Sequence, residues 1–119
     1  MTQEEKQLLL KDLCARLPYN VKVKSSRRQI VVTLSLDIMT DFYLGCTVKP
    51  YLRPMSSMTE EEYKEYSKLW DLQDEFPTDA DIRFKIDVFD WLNAHHFDYR
   101  GLIEKGLALE AKEGMYKTE

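Results

Sequence analysis

A chain of 119 residues, 44% hydrophobic and 32% charged, suffices for one packed domain and falls outside the disordered and fibrous classes. No apolar run nears the roughly 18 residues that span a bilayer, and the opening "MTQEEKQLLLKDL" carries acids where a secretory leader needs positive charge, so a cytoplasmic protein is expected, without membrane contact. The net charge of −4 is uneven: residues 1–55 carry nine Lys/Arg against five Asp/Glu, residues 56–119 eight against sixteen. Such asymmetry marks a charged partner, or two halves that attract each other in the fold or in a dimer.

In chain order, "TQEEKQLLLKDLCARLP" reads as a helix with Leu10, Leu13, Cys14 and Leu17 on one apolar stripe. Thr2 and Glu5 form a capping box at its start, and Pro18 ends it. The period then becomes two. Tyr19, Val21 and Val23 alternate with polar residues, and "SSRR" at 25–28 makes a turn. A longer strand follows with Ile30, Val32, Leu34, Leu36 and Ile38 on one face. After Thr40 and Asp41, a third strand carries Phe42, Leu44, Cys46 and Val48. Short connections predict a three-stranded antiparallel meander. Pro50 and Pro54 mark "KPYLRPMSSM" as a connector without regular pairing.

A second helix begins after Thr59, whose capping partner is Glu62, and buries Tyr63, Tyr66, Leu69, Trp70 and Leu72. "DEFPTDAD" reads as a turn. In "IRFKIDVFDWLNAHH" a strand alternation over 82–88 competes with a helical face through Ile82, Ile86 and Phe89. Helix is preferred because "WLNA" continues it and Thr78 and Asp81 resemble its cap. Asp98 then caps a last helix with Tyr99, Leu102, Ile103, Gly106 and Leu107 inward, Gly106 marking a close approach. The expected fold is α+β, one domain over 1–119: an N-terminal helix, the meander, three C-terminal helices and a loose tail at 113–119.

At "KPYLRPMSSMTEEEYKEY" and "WLNAHHFDYRGLIEKGLALEA" the chain resembles small uncharacterised proteins of bacteriophages and prophages of gut bacteria. The likeness covers the first twenty residues and 50–116 and leaves about 21–48 outside. It implies a mobile-element accessory protein in the bacterial host's cytoplasm and brings no site residues with it.

His95 and His96 point about 100° apart on a helix, unlike the i, i+4 pair a helical zinc site needs, so they read as a helix end. Cys14 and Cys46 read as small core residues with reduced thiols. Asp74, Glu75, Asp79 and Asp81 lack the spacing of a calcium loop. No cofactor or metal is expected, and no catalytic residue is assigned. Lys22, Lys24, Arg27 and Arg28 gather around the first hairpin, as phosphate contacts or as protection of a sheet edge. Tyr51, Tyr63, Tyr66, Trp70 and Trp91 suit a core or an interface.

The expectation is a non-enzymatic protein-binding or regulatory module. Its partner is another protein, or a second copy held through Tyr63, Tyr66 and Trp70. A nucleic-acid accessory protein using the hairpin at 22–28 is the alternative. A small hydrolase or metal enzyme comes third, without supporting spacing.

Overall fold

The computed structural model describes residues 2–71, 80–112 and 114–116, and for 70, 71 and 80–86 the backbone alone. These form an α+β fold of four helices and a four-stranded mixed sheet. Helix α1 (Gln3–Arg16) starts at the expected capping box: the Thr2 hydroxyl accepts from Glu5 N at 3.1 Å, and the Glu5 carboxylate accepts from Thr2 N at 2.9 Å. Its buried residues are Leu9, Asp12, Leu13 and Arg16, so the stripe of Leu10, Leu13, Cys14 and Leu17 is corrected by a rotation of the helix. Leu10 and Cys14 are exposed. The physical reason is a buried ion pair. Arg16 Nε donates to Asp12 Oδ2 at 2.8 Å, and Arg16 Nη2 donates to the Phe97 carbonyl at 2.6 Å. Each charge lowers the other's burial cost, so the pair can face the core.

The sheet joins β1 (Lys22–Ser25), β2 (Val32–Thr33), β3 (Val48–Leu52) and β4 (Leu109–Glu110) in the order β2-β1-β3-β4. β1 is antiparallel to β2 and β3, and β4 is parallel to β3, which corrects the antiparallel meander. The long strand over 30–39 survives only as β2. Helix α2 (Leu36–Tyr43) takes the rest and most of the expected third strand. Leu34 and Ile38 are buried four residues apart, with Met39 and Phe42 packed against the same cluster. Strand alternation would have required burial of Leu36, which is 74% exposed. Cys46 is half-buried in the turn after α2, not on a strand face.

β3 contains Pro50, placed by the sequence reading in an unpaired connector. Ser26 N donates to Thr47 O, and counting along the Val23↔Pro50 register makes Val23 and Pro50 a non-hydrogen-bonded pair. Proline therefore withholds no N–H from β1. Its other side is unpaired, because β4 begins opposite Tyr51. The same count puts Lys22 opposite Tyr51 in a bonded rung. There the Tyr116 hydroxyl accepts from Lys22 N at 2.7 Å and donates to Tyr51 O at 2.6 Å, closing the rung through itself. The expected loose tail is thus held at Tyr116; residues 113 and 117–119 lie outside the described set.

Helices α3 (Glu60–Asp71) and α4 (Ala80–Ala94) follow, and α4 confirms helix over strand for 82–89. The turn expected over 74–81 lies outside the described residues up to 79, as does the cap residue Thr78, and its last two residues, Ala80 and Asp81, belong to α4 instead. The last helix is replaced by turns leading into β4. Asp98 does cap backbone, accepting from Leu102 N at 2.9 Å and Ile103 N at 3.0 Å. Gly101 and Gly106 take φ of 71° and 74°, which stops a helix. A Cβ on Gly106 would meet nothing within 4 Å, so its role is the turn, not a close approach.

Two apolar clusters result. One joins Leu9 and Leu13 of α1, Ile38 of α2, sheet residues Val21, Val23, Val48 and Leu52, and Leu102, Leu107 and Ala108. The other centres on Val88, Leu92 and Phe97. Asp12→Ala leaves Arg16 buried without its carboxylate and should cost about 3–5 kcal/mol in urea unfolding, whereas Asp12→Leu with Arg16→Met should recover most of that loss.

Candidate functional site

The two histidines end α4. Arg53, just past β3, crosses this end: Arg53 N donates to His96 O at 2.7 Å and Arg53 O accepts from Asp98 N at 2.8 Å. His96 has a left-handed φ of 63°, turning the chain out of the helix. Between this end and the start of α3 lies an open cleft of 840 Å³, whose walls include Arg53, Glu62, His95, His96, Lys112 and Tyr116.

Glu62 is the best-held group in the cleft. Its carboxylate accepts from Arg53 Nη1 and Nη2, both at 2.7 Å, and from Thr59 N at 3.0 Å, and His95 Nδ1 lies 3.3 Å away. The expected Thr59–Glu62 capping box is thus present and shared with Arg53, whose guanidinium lies 4.3 Å from the centre of the Phe97 ring. Arg53, and then the Thr59 amide, hold Glu62 down to about 2. The His95 ring packs 4.2 Å from Trp91, whose Nε1 donates to Glu65 at 3.2 Å. The His96 ring stacks 3.8 Å from Tyr116. Burial pulls the His96 pKa down to about 4, and the Arg16 charge adds to it. Burial likewise pushes Tyr116 up to about 12.

Chemically, these groups hold the fold. A carboxylate fixed by an arginine is a poor proton acceptor near neutrality, and the Ser57 hydroxyl donates to Pro54 O at 2.6 Å. Among the described residues no group of three or more His, Cys, Asp or Glu is placed to hold a metal ion. The histidines therefore sit where the sequence placed them, at a helix end, with Arg53 and Glu62 as partners that the sequence reading did not assign.

The basic quartet is split. Arg27 Nη1 and Arg28 Nε lie 3.5 and 3.1 Å from the buried Asp41 carboxylate, which also accepts from Ser25 Oγ at 3.2 Å. Arg28 first, with Ser25 and Arg27 adding, holds the Asp41 carboxyl below the usual carboxylate range. Lys22 Nζ donates to the Thr33 hydroxyl at 2.6 Å, and Lys24 is exposed. The aromatic trio is split as well. Tyr63 is exposed, Tyr66 packs 5.7 Å from Trp91 in the second cluster, and the Trp70 side chain lies outside the described residues.

A different set of exposed apolar residues stands out in one stretch of the chain. Among the described residues, five of the eight exposed large hydrophobics fall between 30 and 44: Ile30, Val31, Leu36, Tyr43 and Leu44. Leu36 and Tyr43, seven apart, share the outer face of α2. That spacing was visible in the sequence, but the strand reading turned those side chains elsewhere.

No protein-family model, curated protein or solved structure matches the chain. No described helix is long and apolar enough to cross a membrane.

Within the cleft, the depressed pKa values of His96 and Glu62 give stability two acid limbs. His96 is favoured neutral when folded, so its contribution is present above about 6.5 and is lost as pH falls toward about 4. The Glu62 contribution is present above about 4.5 and is lost as pH falls toward about 2. Melting temperature against pH should lose the first limb in His96→Asn, since Asn tolerates the left-handed backbone, and the second in Glu62→Gln.

Proposed function

We propose that this chain is a non-enzymatic protein-binding module, an accessory protein of a phage or mobile element acting in the bacterial host's cytoplasm. The observation that carries the reading is the outer surface of α2 with the segment before β2. Tyr43 is 88% and Ile30 70% exposed, and Leu36 and Leu44, on either side of Tyr43 in sequence, are exposed as well. Single exposed apolar residues are ordinary, but five within one short stretch mark a contact surface. A tyrosine flanked by leucines suits the desolvated centre of an interface. The cleft supports the same reading from the other side, since Glu62, Arg53 and His96 are engaged in holding the chain. The resemblance at 49–66 and 91–111 supplies the mobile-element context.

The partner is a protein with an apolar surface of its own; a second copy of this chain is the alternative occupant. Leu36→Asp with Tyr43→Ala should leave the melting temperature nearly unchanged, because both side chains are in water. Binding should fall by roughly 30-fold or more, the scale of one lost hot spot. Affinity capture from host cells, with nuclease treatment, should recover a protein with the parent chain and not with the double variant. Recovery unaffected by the substitutions would remove this surface from the account. Sedimentation across concentration separates a foreign partner from a second copy.

A further inference from the structure

The sheet has two faces of opposite character. Val21, Val23, Val48 and Leu52 point into the core beneath α1 and α2. The pleat sends Lys22 and Lys24 of β1, and Lys49 of β3, to the other side. There Lys24 is exposed and Lys22 and Lys49 are half-buried. Ser26 and Thr47, on the same face, are also exposed.

Lys24 and Lys49 are direct cross-strand partners. Like charges facing each other across a rung destabilise a sheet. Neither ammonium has an ion pair among the described residues, although the chain holds 21 acids. Lys22 donates to a neutral hydroxyl, so its charge also stands. The contrast with the hairpin tip is direct: Arg27 and Arg28 are answered by Asp41, while the three lysines have no carboxylate partner among the described residues. Folding therefore carries a repulsion that an anionic partner would relieve.

We propose that the lysine-bearing part of this face, through Lys22, Lys24 and Lys49, binds the phosphate backbone of double-stranded nucleic acid without reading its sequence. Lysines two residues apart on β1 are about 7 Å apart, a row that can follow a chain of phosphates. Ser and Thr hydroxyls beside them are usual donors to phosphate oxygens. Tyr51, the aromatic ring on this face, is buried, so stacking on unpaired bases is not served. The proposal is independent of the apolar surface of α2.

The test titrates the full chain with a fluorescent DNA duplex of arbitrary sequence at several salt concentrations. Three phosphate contacts give a slope of log affinity on log salt of about −2.7. Lys24→Gln with Lys49→Gln should reduce the slope to about −0.9 and weaken binding, and without DNA it should raise the melting temperature. That second readout separates lost contacts from a damaged fold. Arg27→Ala with Arg28→Ala, checked by circular dichroism to be folded, should leave the slope unchanged. No duplex binding at low salt overturns the proposal. So does an unchanged slope in the double-lysine variant, or a preference for polyglutamate over the duplex, which would assign the face to an acidic protein.

Discussion

The guanidinium of Arg16 is the joint on which the two halves of this molecule meet. It is fully buried, bonded on one side to Asp12 one turn earlier and on the other to the carbonyl of Phe97, beyond the end of α4. Leu9 and Leu13 beside it belong to the sheet cluster, and Phe97 belongs to the cluster of α3 and α4. Arg100 completes the arrangement: its Nε lies 3.3 Å from Asp12 Oδ1, within ion-pair range though not in hydrogen-bond geometry. Both arginines lie just over 5 Å from the centre of the Tyr99 ring. Separating α1 from residues 97–100 would leave a charge in the interior without its partner, at a cost of several kcal/mol. That penalty ties the first helix to the crossing after α4, and so fixes where Arg53, His95 and His96 come together.

From this joint the polar groups divide into two populations. Asp12, Asp41 and Glu62 each hold one or two arginines, and Tyr116 completes a rung of the sheet. Their chemistry is turned inward. The exposed side chains of α2 and the lysine charges of the sheet are turned outward and have no ion-pair or core partner among the described residues. Exposed apolar side chains and unanswered charge are what a partner can use, and that division underlies assigning function to surfaces instead of to the histidine cleft.

The sequence was most legible where local chemistry decides. Both capping boxes, the turn at Ser25–Arg28 and the helical choice over 82–89 depend on residues a few positions apart. It was least legible where a distant partner decides. Val32 to Ile38 alternates well enough for a strand, but Leu34 reaches the core from the link after β2 and Ile38 from helix α2. Pro50 stands in a paired strand because its missing donor faces away from β1, which only the register reveals. The core face of α1 was misplaced because Asp12 and Arg16 were counted as polar; their i, i+4 spacing, in step with that of Leu9 and Leu13, was the available signal. Arg27 and Arg28 appeared free for phosphate until α2 brought Asp41 beneath them.

Native-state hydrogen exchange in increasing urea tests the joint most directly. In the parent protein the slowest amides of α1 and β1, such as Leu13 and Val23, and those of α4, such as Leu92, should converge on one opening free energy. Arg16→Leu keeps apolar bulk but removes the bond to Phe97 and the tie to Asp12. In that variant the α4 amides should open at lower urea than those of the sheet. Separate openings in the parent protein, or a single shared opening that persists in Arg16→Leu, would contradict the claim that this guanidinium joins the two halves.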